Sequence, residues 1–387
     1  MRALLLPTTD RRLEPYQPGQ ACSYPARSAA PATRVAYAAA HVVADPLAEA
    51  VPFEGGKVDW EATLRFRHHL WGLGFKVAEA MDTSQRGMGL AWPDAAELIR
   101  RSVAEAKTVP GADLACGVGT DQLPPRPGVT LDEVRRAYLE QLEVVEQAGG
   151  RAILMASRAL VLAANGPDDY RRLYGELIGQ ARDKVVLHWL GPMFDPQLEG
   201  YWGSHDLDEA QATLLGLIRD HAGRIDGVKM SLLDKERELG FRQSLPEGVK
   251  CFTGDDFNYA ELIEGDGSRH SDALLGIFDP IARAAAAALA ALDAGRVEDY
   301  RAILRPTVPL SRKIFEAPTR FYKSGVVLLA WLNGHQDHFA MLGGQQAARS
   351  ALHYGDVFRL ADQAGVLDDP ELAARRMARL MATFGIE

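Results

Sequence analysis

The feature that most constrains this chain is a repeat of pattern: between residue 34 and about residue 305, short β-type runs and amphipathic helical runs take turns eight times. "RVAYAAAHVVAD" precedes "VDWEATLRFRHHLWGLG", whose apolar residues fall at helical spacing and which stops at Gly72 and Gly74. "FKVAEA" precedes "PDAAELIRRSVAEAK", with Pro93 in a first-turn position, and "ADLACGVGT" precedes a helix opened by the capping box Thr130 and Glu133. The strand runs "RAILMAS", "KVVLHWLG", "DGVKMSL", "GVKCFTGDD" and "SDALLGIFD" complete the set, each with its helix. Most of these strands are apolar on both faces, as in a parallel sheet covered by helices, and eight units predict a closed (β/α)8 TIM barrel over residues 34–306. An open doubly wound sheet is the rival, but no GxGxxG follows the first strand.

Outside the repeat the pattern changes. Residues 1–33 hold five prolines and little apolar periodicity, which predicts an extended arm over the surface. Residues 307–387 read as helices only and predict a helical extension. A formal charge of -9, with both signs interspersed, argues against a nucleic-acid or membrane partner and leaves small molecules or further copies of the chain. Cys22, Cys116 and Cys251 have no CxxC spacing, so neither a disulfide framework nor a zinc knuckle is readable, and a reducing, cytoplasmic compartment is expected. The opening apolar patch is too short for a signal-peptide core.

One polar residue breaks the apolar sixth strand. In "RIDGVKMSLLD", Lys229 lies among Ile225, Val228, Met230, Leu232 and Leu233. Near the C-terminal face of a barrel such an amine is partly desolvated and its pKa falls, the condition for a nucleophile that forms an imine with a carbonyl. A lysine paired with an acid to fix the core fits the pattern equally well.

The order of motifs around that lysine resembles the dihydrodipicolinate synthase and N-acetylneuraminate lyase family of Schiff-base aldolases. "DGVKMSLLD" is similar to its lysine strand, "MDTSQRGMGLAWPDAAELI" to its substrate loop, "PGADLACGVGT" to its third strand and "CFTGDDFNYAELI" to its seventh. The resemblance implies Lys229 as the imine-forming residue and a 2-oxo acid as substrate, with Thr83 and Ser84 holding its carboxylate. Asp82, Gln85 and Arg86 depart from the family's loop. Also implied are Gly254 and Asp255 at the substrate, no cofactor beyond the covalent imine, no metal, and a homo-oligomer, dimer or tetramer.

The proton-relay tyrosine usual on the family's fifth strand is missing; "VVLHWLGPMFDP" offers His188 and Trp189 there instead. His188 is the natural replacement, since an imidazole gives and takes protons near neutral pH. Trp189, His41 and Arg86 are candidate substrate contacts, Arg86 because a guanidinium pairs bidentately with carboxylate or phosphate. For His41 and Asp255 the alternative is loop capping. The fifth-strand loop "MFDPQLEGYWGSHD" predicts a lid or wall from Phe194, Tyr201 and Trp202, with subunit contact as the rival. His335, Asp337 and His338 form a weak metal signal, and Lys323 is expected to be structural. A metal-assisted isomerase or hydrolase using His41 and His188, and a barrel that has lost catalysis, remain as other classes.

Overall fold

The strands close on themselves. The computed structural model describes residues 4–51 and 55–387. Within them β1 (Leu4–Pro7) and β2 (Leu13–Tyr16) form an antiparallel hairpin. Then β3 (Ala36–Ala39), β4 (Lys76–Glu79), β5 (Leu114–Val118), β6 (Arg151–Leu154), β7 (Val185–Leu190), β8 (Ile225–Ser231), β9 (Lys250–Thr253) and β10 (Asp272–Leu275) make a closed parallel barrel, β10 pairing with β3. This is the (β/α)8 fold the alternation predicts. Helices Thr307–Ile314, Lys323–Leu332, Ala351–Gln363 and Pro370–Thr383 follow it. Among the described residues no helix is long and apolar enough to cross a membrane.

Period-two alternation sorts side chains into two cores. Inside the barrel, Tyr37, Ala78, Ala115, Ile153, Val186, Phe252 and Leu274 pack together; the opposite faces join the helices in a larger outer core. Space inside is short, so glycine is required where large rings cross: a Cβ on Gly227 would meet the Phe252 ring at 2.6 Å. The N-terminal end is plugged by polar pairs. Arg151 Nη2 donates to Tyr37 Oη at 3.1 Å and to Asp113 Oδ2 at 2.6 Å, and Lys76 Nζ reaches the same carboxylate at 2.7 Å. The C-terminal end is therefore the open mouth.

Residues of the expected N-terminal arm are more ordered than their proline content suggests, residues 1–3 lying outside the described set. The hairpin packs on the C-terminal helices, where Tyr16 Oη donates to Asp362 Oδ2 at 2.7 Å and its ring meets Phe358 edge-on. The expected first strand over 34–45 is shorter than its apolar run, β3 ending at Ala39. The Thr130/Glu133 capping box forms as predicted at helix Leu131–Ala148.

One buried ion pair ties the first helix of the barrel, Trp60–Gly72, to the mouth. Arg67 grips Glu79 bidentately, at 2.9 and 2.7 Å, with both side chains fully buried, and its second Nη donates to the carbonyl of His41. Burial opposes the Glu79 charge, but the Arg67 guanidinium and the Ala80 N–H hold its carboxyl below the usual range. Removing one partner strands the other. Arg67→Met should lower stability by about 3–5 kcal/mol, and adding Glu79→Leu should restore most of it, as read from urea unfolding midpoints.

Candidate active site

Three inward positions on β8, Gly227, Lys229 and Ser231, set the floor of the mouth. Lys229 is 7 % exposed, and its amine makes no hydrogen bond or ion pair among the described residues. It gets its room from a glycine just past the neighbouring strand β9: a Cβ on Gly254 would lie 2.8 Å from Lys229 Cε and 2.2 Å from Ser231 Oγ. Burial pulls the Lys229 pKa below its ordinary value, and the charges of Asp82 and Asp256 oppose that shift without pairing.

His188 stands beside Lys229 in register on β7, and so faces the same interior. Its Nε2 lies 3.2 Å from Ser231 Oγ, and its Nδ1 is buried with no partner. Burial, then the Lys229 charge, holds its pKa well below the usual imidazole value, so the ring is neutral at physiological pH. Trp189, one residue on, points the other way. It is buried in the outer core between barrel and helices, and the expectation that it contacts substrate is corrected by strand alternation.

In the loop after β4 the polar side chains of residues 83–86 all have partners within the protein. Thr83 Oγ1 is 2.8 Å from Tyr322 Oη. The Ser84 hydroxyl donates to the Ala40 carbonyl at 2.6 Å, so it secures the loop and does not stand free for a carboxylate. Arg86, expected to reach substrate, is fully engaged: it pairs with Asp121, donates to Ala80 O and Gln141 Oε1 at 3.0 and 2.8 Å, and lies over Trp92. Gln85 Nε2 donates to Leu342 O at 3.0 Å, tying the loop to the C-terminal extension.

Other expected contacts are structural too. His41 Nδ1 is 2.8 Å from Asp279 Oδ2, and its ring packs on Phe66 of the first helix, away from the mouth. Asp255 accepts the N–H groups of Phe257 and Asn258 at 2.8 and 3.0 Å, which is loop capping. Tyr201 and Trp202 do not form a lid. Both are buried against Tyr170 and Tyr174, and Tyr201 Oη accepts the Ser157 N–H at 3.0 Å. Phe194 does line a cavity at the mouth. The 335–338 segment is not helical; Asp337 is 96 % exposed beside Arg376, and His338 Nδ1 accepts the Ala340 N–H, so the two histidines share no helical face. Among the described residues no group of three His, Cys, Asp or Glu is arranged to hold a metal ion.

Two adjoining cavities lie at the mouth, of about 270 and 300 Å³, sharing Asp82, Arg86, Arg158, Leu190 and Asp195; Lys229 and Thr83 line neither. His188 lines the first; Tyr322 and Lys323 line the second. A larger cavity, about 630 Å³, lies outside the barrel among Lys235, Glu261 and Arg301, and contains none of these residues.

Three groups of the mouth escape a reading of the strands alone. Asp256 is buried, accepts the Ile277 N–H at 2.9 Å, and is pushed up to about 7 by burial, partly offset by that bond and by Lys229. Tyr322 comes from the C-terminal extension, stacked on Phe315 at 4.3 Å, and burial keeps its phenol protonated. Lys323 follows it, and the expectation that it only supports the extension is incomplete, since it faces the cavity. The sequence signal for both was the polar pair "YK" opening an apolar helix.

Comparisons with known proteins agree with this geometry at the level of fold. The family model described as "Protein of unknown function (DUF993)" matches residues 4–386. No curated protein sequence matches significantly. Among solved structures, dihydrodipicolinate synthase from Aquifex aeolicus aligns with 91 % of this chain and 98 % of its own, at 13 % identity and a TM-score of 0.59. The enzyme of the same name from Thermotoga maritima covers 86 % of this chain and 99 % of its own, at 14 % identity and 0.62. The 4-hydroxy-tetrahydrodipicolinate synthase from Methylacidiphilum fumariolicum SolV covers 90 % and 98 %, at 14 % identity and 0.60.

Burial lowers the basicity of Lys229, and the two carboxylates partly restore it. In wild type its titration midpoint should fall below the ordinary lysine value, and Asp256→Asn should lower it further by removing a charge that favours the ammonium. The pH dependence of labelling with an amine-reactive reagent, quantified at Lys229 by mass spectrometry, measures both midpoints.

Proposed function

The chain belongs to the family described as protein of unknown function (DUF993), and for this member we propose a lyase of the Schiff-base aldolase type acting on a 2-oxo acid. The observation that carries this reading is the amine of Lys229: inward on β8, buried, and free of any ion pair among the described residues. A structural lysine would be neutralised by a touching carboxylate; here Asp82 and Asp256 act only at a distance.

The chemistry follows from that amine. Its unprotonated lone pair adds to C2 of the 2-oxo acid; the two protons given up by the nitrogen pass to the carbonyl oxygen, which departs as water and leaves a carbon–nitrogen double bond to Lys229. Protonated, that imine draws electrons from C3, so a C3 proton or a C3–C4 bond is released to give an enamine. Cleavage, condensation and dehydration share this intermediate.

Proton transfers need groups that are correctly protonated near pH 7. Asp256, at about 7, has the protonation balance of an acid or base near neutral pH, and it acts on Lys229 through its charge. The neutral imidazole of His188, bonded to Ser231, acts as relay on the β7 side. Tyr322, through Thr83, supplies the tyrosine hydroxyl that β7 lacks, and Thr83 holds the substrate carboxylate.

Reduction with borohydride in the presence of pyruvate should fix one adduct on Lys229, identified by peptide mass spectrometry. Lys229→Arg should give none. Tyr322→Phe should slow adduct formation at least about tenfold while leaving Lys229 present and reactive. Failure of pyruvate and of longer 2-oxo acids to form the adduct would remove the reading's support and favour a barrel without this catalysis.

A further inference from the structure

The cavity beside Phe194 carries more positive charge than its walls neutralise. Arg86, Arg158, Arg320 and Lys323 line it against two carboxylates, Asp82 and Asp195. Arg86 is paired with Asp121 and Arg158 with Asp195. Arg320 and Lys323 make no ion pair among the described residues, and the remaining carboxylate, Asp82, acts on both Lys229 and Lys323.

Lys323 is the informative one. It is 5 % exposed, and its amine makes a single hydrogen bond, to the Arg320 carbonyl at 3.2 Å, while lying 4.4 Å from the centre of the Tyr322 ring. Its other two N–H donors have no acceptor among the described residues. An ammonium buried without a counter-ion is unfavourable in the free protein, and an anion entering the cavity removes the penalty. Burial draws its pKa from 10.5 down to about 8, which still leaves it mostly charged near pH 7.

We propose that this cavity is an anion subsite, in which Lys323, with Arg320 at the rim, takes a second acidic group of the substrate. The substrate is then a 2-oxo acid with a carboxylate or phosphate at the end far from its ketone. The assignment rests on the Schiff-base reading, which places the ketone at Lys229 and the first carboxylate at Thr83. A monocarboxylic 2-oxo acid leaves Lys323 unmatched.

The test compares chain-matched probes in borohydride trapping on the full chain: 2-oxoglutarate, 2-oxo-4-phosphonobutanoate, and 2-oxopentanoate, which lacks the distal charge. At least one of the two charged probes should half-saturate trapping at about tenfold lower concentration than 2-oxopentanoate, and the better one identifies carboxylate or phosphate. Lys323→Met should abolish the difference and Lys323→Arg should keep most of it. Trapping with no preference for either charged probe overturns the subsite and leaves the imine chemistry standing. If no probe is trapped, the imine chemistry falls, and calorimetry with glutarate and inorganic phosphate decides the subsite: binding lost in Lys323→Met keeps it, and no binding to wild type overturns it. The melting temperature of Lys323→Met should equal or exceed wild type at pH 7. Its gain should fade as pH rises from 8 through 10.5, above which the amine is neutral in both folded and unfolded chains. A large fall in melting temperature at pH 7 would instead mark Lys323 as structural.

Discussion

An amine held in an apolar floor with no counter-ion in contact is the constraint around which the mouth of this barrel is arranged. Desolvation favours its neutral form, and the surroundings keep that effect from being cancelled. Gly254 supplies no side chain where one would collide with Lys229 Cε. His188, the neighbour in register, is neutral for the same reason and so adds little repulsion or pairing of its own. The two acids that act on the amine do so from loops, Asp82 after β4 and Asp256 after β9, where loop position can set their separation.

Arg67 and Glu79 show the opposite solution within the same barrel. Both are fully buried, but each finds its full complement of partners, so the pair functions as a joint between the first helix and the β4 loop. The contrast separates structure from chemistry more cleanly than burial does. Arg86 is a second case: near the mouth and chemically suited to bind an anion, it is already engaged by Asp121, Gln141 and two carbonyls. Lys229 and Lys323 lack such closure, and that is what distinguishes them from the arginines.

The fold was legible because period-two and helical patterns alternate in sequence and depend on near neighbours only. Lys229 was legible because a cation in an apolar strand stands out against that pattern, and the His188/Trp189 choice reduces to which residue shares its face with Lys229. Ser84, Arg86 and His41 misled for a common reason: residue type names a capacity to bind, while the partner that already occupies it lies on another element, such as Asp121 for Arg86 or Asp279 for His41. Tyr322 was hidden by distance along the chain, since its contact with Thr83 joins residues 239 apart.

That long-range contact makes the C-terminal extension part of the mouth, and its position must therefore be fixed from outside the barrel. Several independent ties do this. Gln85, in the loop after β4, bonds Leu342, Arg283 pairs with Asp368 at 2.8 Å, and the N-terminal hairpin lies on the last helices through Tyr16 and Asp362. The irregular segment between hairpin and barrel is anchored as well, where the N–H groups of Ala32 and Thr33 donate to Asp293 at 2.8 and 2.9 Å. Tyr322 and Lys323 thus sit on a rigid frame rather than on a mobile flap, and rigidity is what an unpaired buried cation requires: a loose segment would turn the amine to water and relieve the very penalty that makes it receptive to an anion.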